Sequence, residues 1–152
     1  MDTSRRRKFT AEEWERFLRQ RPKTVLATIN ADGTPHMTPV GFLYEDGAFK
    51  MTTTTDRVKY RNMARDGRIS LIIRGQVNEQ DGEGVVVVSG AAVVDTSRKA
   101  ALEVLGRIVG EGHTPEMARQ LYEDRKDEPR VLLTLRPSKT MAWVQIGRSA
   151  VR

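Results

Sequence analysis

The sequence predicts a mainly β fold with helical additions, an α+β chain built as a small antiparallel barrel. Three observations carry this prediction. Apolar residues alternate with period two from Lys23 to Ile29 and again after Pro35, and Asp32-Gly33 and Asp46-Gly47 supply turns between these segments. Residues 69–73 and 85–94 are nearly continuous apolar runs, which implies strands covered on both faces. The chain has 152 residues, 38% of them hydrophobic, enough for one domain spanning residues 1–152.

Taken in order, residues 1–8 are polar and basic and predict a mobile N-terminus. Phe9-Thr10-Ala11-Glu12-Glu13-Trp14 starts a helix: Thr10 and Glu13 have capping-box spacing, and Phe9 is placed to staple onto Trp14. Trp14, Phe17 and Leu18 form its apolar stripe, and Arg21-Pro22 ends it. The strands at 23–29, 35–44 and 48–53 then predict a meander. Pro39 cannot donate a ladder hydrogen bond, so it calls for an edge, a bulge or a gap facing a ligand. A short helix capped by Thr55 or Asp56 should follow and stop at Gly67. The polar stretch 74–84 separates the two apolar strands as a loop. Helices are expected from about Ser97 to Val109 and after Thr114-Pro115, the second with the stripe Met117, Ala118, Leu121 and Tyr122. Strands at 130–136 and 140–146 complete roughly seven, and such a sheet is expected to close on itself.

Composition narrows the chemistry. No cysteine is present, and the only histidines are His36 and His113, so thiolate nucleophiles, disulfides and ordinary zinc sites are not expected. No run approaches the roughly 18 apolar residues of a membrane helix, and no signal-peptide pattern opens the chain. The expectation is a cytoplasmic, metal-free protein. The net charge of +6 favours an anionic partner without choosing one.

The most informative stretch is 52–61. Arg57 and Lys59 fall at a helix start, beside unpaired N–H groups and the positive end of the helix dipole. Cations are mildly unfavourable there unless an anion sits among them, and the hydroxyls of Thr53, Thr54 and Thr55 could complete a phosphate cradle. A solvated helix start in an arginine-rich chain is the plainer alternative.

Residues 25–42, with Asp32-Gly33-Thr34-Pro35 and Thr38-Pro39-Val40, together with Thr53-Thr54-Thr55-Asp56-Arg57-Val58-Lys59-Tyr60 and Arg68-Ile69-Ser70-Leu71, resemble the pyridoxamine 5'-phosphate oxidase-like split β-barrel superfamily. The match is close over about Arg21 to Val94 and looser through Trp143. Asp-Gly-x-Pro-x-x-x-Pro-Val followed by Asp-Arg-x-Lys is similar to the branch that uses the deazaflavin coenzyme F420 rather than FMN. The resemblance implies an antiparallel split barrel of the FMN-binding type, and a homodimer with cofactor sites at the interface. By position, Arg57 and Lys59 would hold the cofactor phosphate, with Thr53, Thr54 and Thr55 donating hydroxyls. Thr38, Pro39 and Val40 would face the ring, and Trp143 would reach the partner's site. The activity implied is an F420-dependent oxidoreductase passing hydride to an electrophilic small molecule, with no catalytic residue assigned.

Three other readings stand beside it: an FMN-binding oxidase or reductase, a non-catalytic flavin or deazaflavin carrier, and a nucleic-acid module suggested by charge alone. The last lacks a recognised motif and has few aromatics for base stacking, so no nucleic acid and no membrane are expected as partners. His36 lies close enough on its strand to reach a ring or to face solvent. Residues Arg5 to Lys8 would either clasp a polyglutamate tail or remain solvated, and Met51, Met63 and Met117 are expected to pack.

Overall fold

A computed structural model describes residues 5–20, 22–79 and 82–146. It contains β1 (Arg5–Arg7), α1 (Ala11–Arg19), β2 (Lys23–Ile29), β3 (Pro35–Val40), β4 (Leu43–Glu45), β5 (Ala48–Thr54), α2 (Val58–Arg65), β6 (Arg68–Gln76), β7 (Glu83–Asp95), α3 (Arg98–Gly112), α4 (Pro115–Arg125), β8 (Arg130–Leu135) and β9 (Lys139–Ile146). All pairings are antiparallel.

Strand β7 organises the sheet. On one edge it pairs with β6, which continues through β2 to β3. On the other edge its first half pairs with β9 and its second half with β8, so that 130–146 runs beside it as one strand broken at 136–138. Beyond that break the sheet splits: β8 leads to β5 and β4, whereas β9 leads to β1. The core lies between the halves, around Phe17, Leu26, Phe42, Phe49, Met51, Leu71, Val88 and Leu133, all at most 2% exposed.

Several expectations are corrected here. The sheet does not close on itself; its path ends at β3 and β4. The strand expected at 35–44 breaks at Gly41-Phe42, and the chain crosses to the other half, so two hairpins replace the meander. Gly41 passes under α3 so closely that a Cβ there would lie 2.9 Å from Ile108 Cγ2. Arg5–Arg7 form an edge strand rather than a mobile end, with Arg7 paired to Glu13 at 2.8 Å; residues 1–4 lie outside the described residues. β6 and β7 extend into the expected loop. Their faces are not all covered, for Ile72 and Val93 remain 39% and 66% exposed. α4 buries none of its side chains fully, and Met117, expected to pack, is exposed.

Other local signals translate directly. Thr10 and Glu13 form a reciprocal capping box, and Phe9 meets Trp14 edge-on with ring centroids 5.9 Å apart. Gly33 takes a φ of +85° in the β2–β3 turn, where Asp32 Oδ1 accepts from the Thr34 N–H at 3.0 Å. Ser97 and Thr114 cap α3 and α4.

Helix α2 follows β5 in one half of the sheet and is fastened to β2 in the other. Buried Asn62 donates through Nδ2 to Thr28 Oγ1 and to Asn30 Oδ1, each at 3.0 Å. Arg65 Nη2 donates to Asn62 Oδ1 at 3.1 Å and to the Ile29 carbonyl at 2.6 Å. Asn62→Ala strands these partners, and we expect a loss of about 1–3 kcal/mol in urea unfolding. An unchanged midpoint would mean that the packing of Met63 alone holds the helix.

Glu13 is held at a pKa of about 2, below the ordinary 4.5, first by the Arg7 guanidinium and then by the Thr10 N–H. Because the folded value is depressed, its charge stabilises fully above about pH 4.5, and this contribution is lost as pH falls toward 2. Glu13→Gln should therefore unfold earlier than the parent at pH 6, with the gap narrowing on acidification. A gap independent of pH would remove the assignment.

Candidate functional site

The sequence elements around Pro39, the threonine run and Arg57 converge on one cleft. It is bounded by β3, the end of β5, the start of α2, the start of β8 and the α3–α4 hairpin. The cleft has two compartments, of about 1050 Å³ and 400 Å³, which share Thr52, Lys59, Arg125 and Arg130. The wider one is an apolar trough: Val25, Pro39, Val40 and Ile72 come from the sheet, Leu105 and Ile108 from α3. The narrower one is polar and adds His36, Thr38, Thr53, Thr54, Arg57 and Glu128.

Edge position explains the trough. β3 pairs with β2 on one side and with no strand on the other among the described residues, which is where Pro39 can sit without breaking a ladder. Alternation along β3 half-buries His36, Thr38 and Val40 on one face and exposes Pro35, Met37 and Pro39 on the other.

In the polar compartment, alternation along β5 places Lys50, Thr52 and Thr54 on one face, with Phe49, Met51 and Thr53 on the other. Register then sets Arg130 opposite Thr54. The Arg130 side chain, only 10% exposed, donates from Nη1 to Thr52 Oγ1 at 3.1 Å and from Nε to the Arg125 carbonyl at 3.4 Å, and its Nη2 pairs with Glu128. It is a fixed cation with its neighbours already in place.

Lys59 and Arg57 are different. Neither side chain has a hydrogen bond or ion pair among the described residues, and the same holds for the Arg125 guanidinium. Half-burial pushes the Lys59 ammonium below its usual pKa, and the charges of Arg57 and Arg130 push it further the same way. No side chain caps α2, whose N-cap is Arg57 itself rather than Thr55 or Asp56. The Asp56 carboxylate is instead taken by the Thr54 hydroxyl. Arg57, Val58 and Lys59, at the start of α2, all line this compartment. Among the described residues that line it, four cations stand against one carboxylate, Glu128, with Asp56 just outside beside Arg57; such an arrangement can hold an anion, and the adjoining trough has room for an apolar body attached to it.

The structure gathers most of the residues expected from sequence and leaves two apart. Arg57, Lys59, Thr38, Thr53 and Thr54 line the polar compartment, and Pro39 and Val40 line the trough. The Thr53 hydroxyl is buried with no partner among the described residues. Thr55 lies outside the lining, with its N–H donating to the Pro129 carbonyl at 3.1 Å. Trp143 also lies outside it, on β9, under the Arg6 guanidinium at 4.6 Å. Arg5–Arg7 do not line the cleft. Thr52, Arg125 and Arg130 join the site without having been singled out. The period of β5 could have marked Thr52; the two arginines depend on strand register and helix placement.

Comparison with known proteins agrees with this architecture. The family model described as pyridoxamine 5'-phosphate oxidase matches residues 10–144. No curated protein matches the chain. Among solved structures, the conserved hypothetical protein Rv2991 from Mycobacterium tuberculosis is 22% identical, with 90% of this chain and 86% of that one covered and a TM-score of 0.74. A FAD-binding protein from Mesorhizobium loti is 18% identical over 95% of this chain and 99% of that one, with a TM-score of 0.66. An F420 reductase is 22% identical over 84% of this chain and 94% of that one, with a TM-score of 0.58. At these identities the structures show a shared fold, an antiparallel split barrel with helical additions. With nearly its whole length matched by the family model, the chain belongs to the pyridoxamine 5'-phosphate oxidase family, within a superfamily that includes oxidoreductases.

Proposed function

We propose that the protein is an oxidoreductase that binds a phosphorylated flavin-type cofactor in this cleft, with the deazaflavin F420 as the cofactor and an electrophilic small molecule as the substrate. The observation that carries the proposal is the trio of unpaired cations beside the Thr52 hydroxyl and the uncapped start of α2, opening onto an apolar trough along an unpaired strand edge. The residues fit the group: a phosphoryl oxygen would find partners for Arg57 and Lys59 that the protein itself does not provide. F420 is favoured over FMN by the Asp32-Gly33-x-Pro35 and Asp56-Arg57-x-Lys59 segments and by the likeness to an F420 reductase. The FAD-binding relative keeps FMN and FAD as the second reading.

When bound, a flavin or deazaflavin supplies hydride-transfer chemistry at its ring. The chain's part is to hold and orient. Arg57 and Lys59 would fix the phosphate, and binding an anion would relieve their mutual repulsion and return Lys59 toward its ordinary proton affinity. Val25, Val40, Leu105 and Ile108 would exclude water from one side of the ring. His36 and Thr38 line the polar compartment and would stand beside the bound phosphate.

A homodimer belongs to the same proposal. The outer face of β3-β2-β6-β7-β9 aligns Pro39, Val25, Ile72, Val87 and Met141 in register, and Met37 and Met141 are 68% and 49% exposed on it. A second copy would cover this face and border the trough, which Val25, Pro39 and Ile72 also line.

The test is a fluorescence titration of the purified protein with F420 and with FMN. Arg57→Ala with Lys59→Ala should weaken the preferred cofactor about a hundredfold or more, each lost charge-assisted contact being worth about 1.5–3 kcal/mol, while the unfolding midpoint stays put. Equal affinity in the double variant would end the phosphate assignment. Tighter FMN than F420 binding would transfer the proposal to the second reading.

A further inference from the structure

Among the described residues that line the polar compartment, Arg130 is matched by Glu128, whereas Arg57, Lys59 and Arg125 make no ion pair; Arg57 has the Asp56 carboxylate beside it, just outside the lining, and Lys59 and Arg125 have no carboxylate of their own. The third cation also comes from elsewhere in the chain. Arg57 and Lys59 sit at the start of α2, whereas Arg125 ends α4.

Arg125 is held in place by its surroundings. Arg98 on α3 donates to the Lys126 carbonyl and pairs with Asp127 at 3.7 Å, which ties the end of α4 to the start of α3. The Arg125 carbonyl accepts from Arg130 Nε at 3.4 Å and from the Glu128 N–H at 3.2 Å. With its backbone fixed by these contacts, half-buried Arg125 borders both compartments. A role confined to the helix dipole would not need that placement, since a cation in the last turn serves as well when fully solvated.

We propose that Arg125 forms a second anion subsite, distinct from the Arg57–Lys59 site, so that the occupant of the cleft carries an additional anionic group beyond its first phosphate. This deepens the function proposed above and rests on it. The shared chemistry is a ring cofactor with a second negative group on its tail, either the further phosphate of a dinucleotide or the carboxylates that follow the phosphodiester of F420. It also relocates the tail contact that the basic N-terminus had suggested: Arg7 is paired with Glu13 and Arg6 lies over Trp143.

The experiment compares riboflavin, FMN, FAD and F420 by fluorescence titration against the parent, Arg125→Gln, Arg125→Lys and the Arg57→Ala/Lys59→Ala double variant. Arg125→Gln should weaken FAD or F420 about tenfold and leave FMN and riboflavin within about twofold, as expected for loss of one charged contact. Arg125→Lys should recover part of that loss. An effect confined to FAD identifies a phosphate as the second group, and one confined to F420 identifies carboxylates. Equal weakening of FMN would place Arg125 in the first site and overturn the proposal. A uniform absence of effect, with or without a lowered unfolding midpoint, would reduce Arg125 to a helix-end residue and overturn it too. The double variant separates the two levels. If it still weakens every phosphorylated ligand while Arg125→Gln does nothing, only the second subsite fails.

Discussion

The attachment of α2 to β2 is the constraint on which the site depends. The sheet splits where β7 exchanges β9 for β8, and the backbone between β5 and β6 must travel from one half to the other. α2 makes that journey, and Asn62 and Arg65 fasten it to Thr28, Asn30 and the end of β2. A buried amide with both N–H groups and its oxygen satisfied contributes little net stability per bond, but it leaves few alternative positions that would not strand a polar group. The first residues of the helix are therefore held at the seam between the halves. Lys59 is half-buried in the cleft, and Arg57 lines it while remaining exposed, because of where Asn62 is anchored, three residues beyond Lys59 on the same short helix.

Stability alone would not select this arrangement. Arg57 and Lys59 stand at the positive end of a helix with no capping side chain, near a third cation, Arg130, with Lys59 half-buried. Each of these features disfavours the folded state slightly. The fold tolerates them because its hydrophobic core is elsewhere, around Phe17, Phe42, Phe49 and Leu71, and because Arg130 is neutralised locally by Glu128. The strain is electrostatic, and a bound anion would relieve it.

Much of this was legible in the sequence where the governing interactions are local. Capping box, staple, the Asp32-Gly33 turn and the cap at Thr114 all involve neighbours within a few residues, and their chemistry can be read from residue type and spacing. The break at Gly41 was not legible, since it answers to Ile108, far along the chain, and an alternating segment carries no mark of the residue at which it changes sheets. Openness of the sheet was equally hidden: closure depends on whether β3 meets a partner across the seam, which periodicity does not encode. At the site, Arg57 and Lys59 stood out as misplaced cations. Arg130 looks like any strand-initiating arginine until its register opposite Thr54 is known, and Arg125 like any helix-ending one until α4 is placed. The resemblance supplied Thr38, Pro39 and Val40 through a motif, but it could not show that alternation buries the Thr53 hydroxyl or leaves Thr55 behind the cleft.

The α3–α4 hairpin shows how such a cleft can be specialised without altering the barrel. α3 packs through Ala101 and Val104 against Leu43 and Leu132, so its seat is built from core residues of the β4-β5-β8 half. α4 buries none of its side chains fully and is joined to the rest through α3 and through polar contacts at its C-terminal end. Apolar burial thus fixes the first helix, which supplies Leu105 and Ile108 to the trough, while directional hydrogen bonds fix the end of the second, which supplies Arg125. The residues that support the hairpin and those that line the cleft overlap only in part, at Ile108, which packs on the α3 seat, and at Arg130, which holds the Arg125 carbonyl. On the proposed reading, a change at Arg125 would alter which anions the cleft accepts and leave α3, the seam and Asn62 undisturbed, whereas a change at Asn62 would act on the cleft only by moving the helix that carries Arg57 and Lys59.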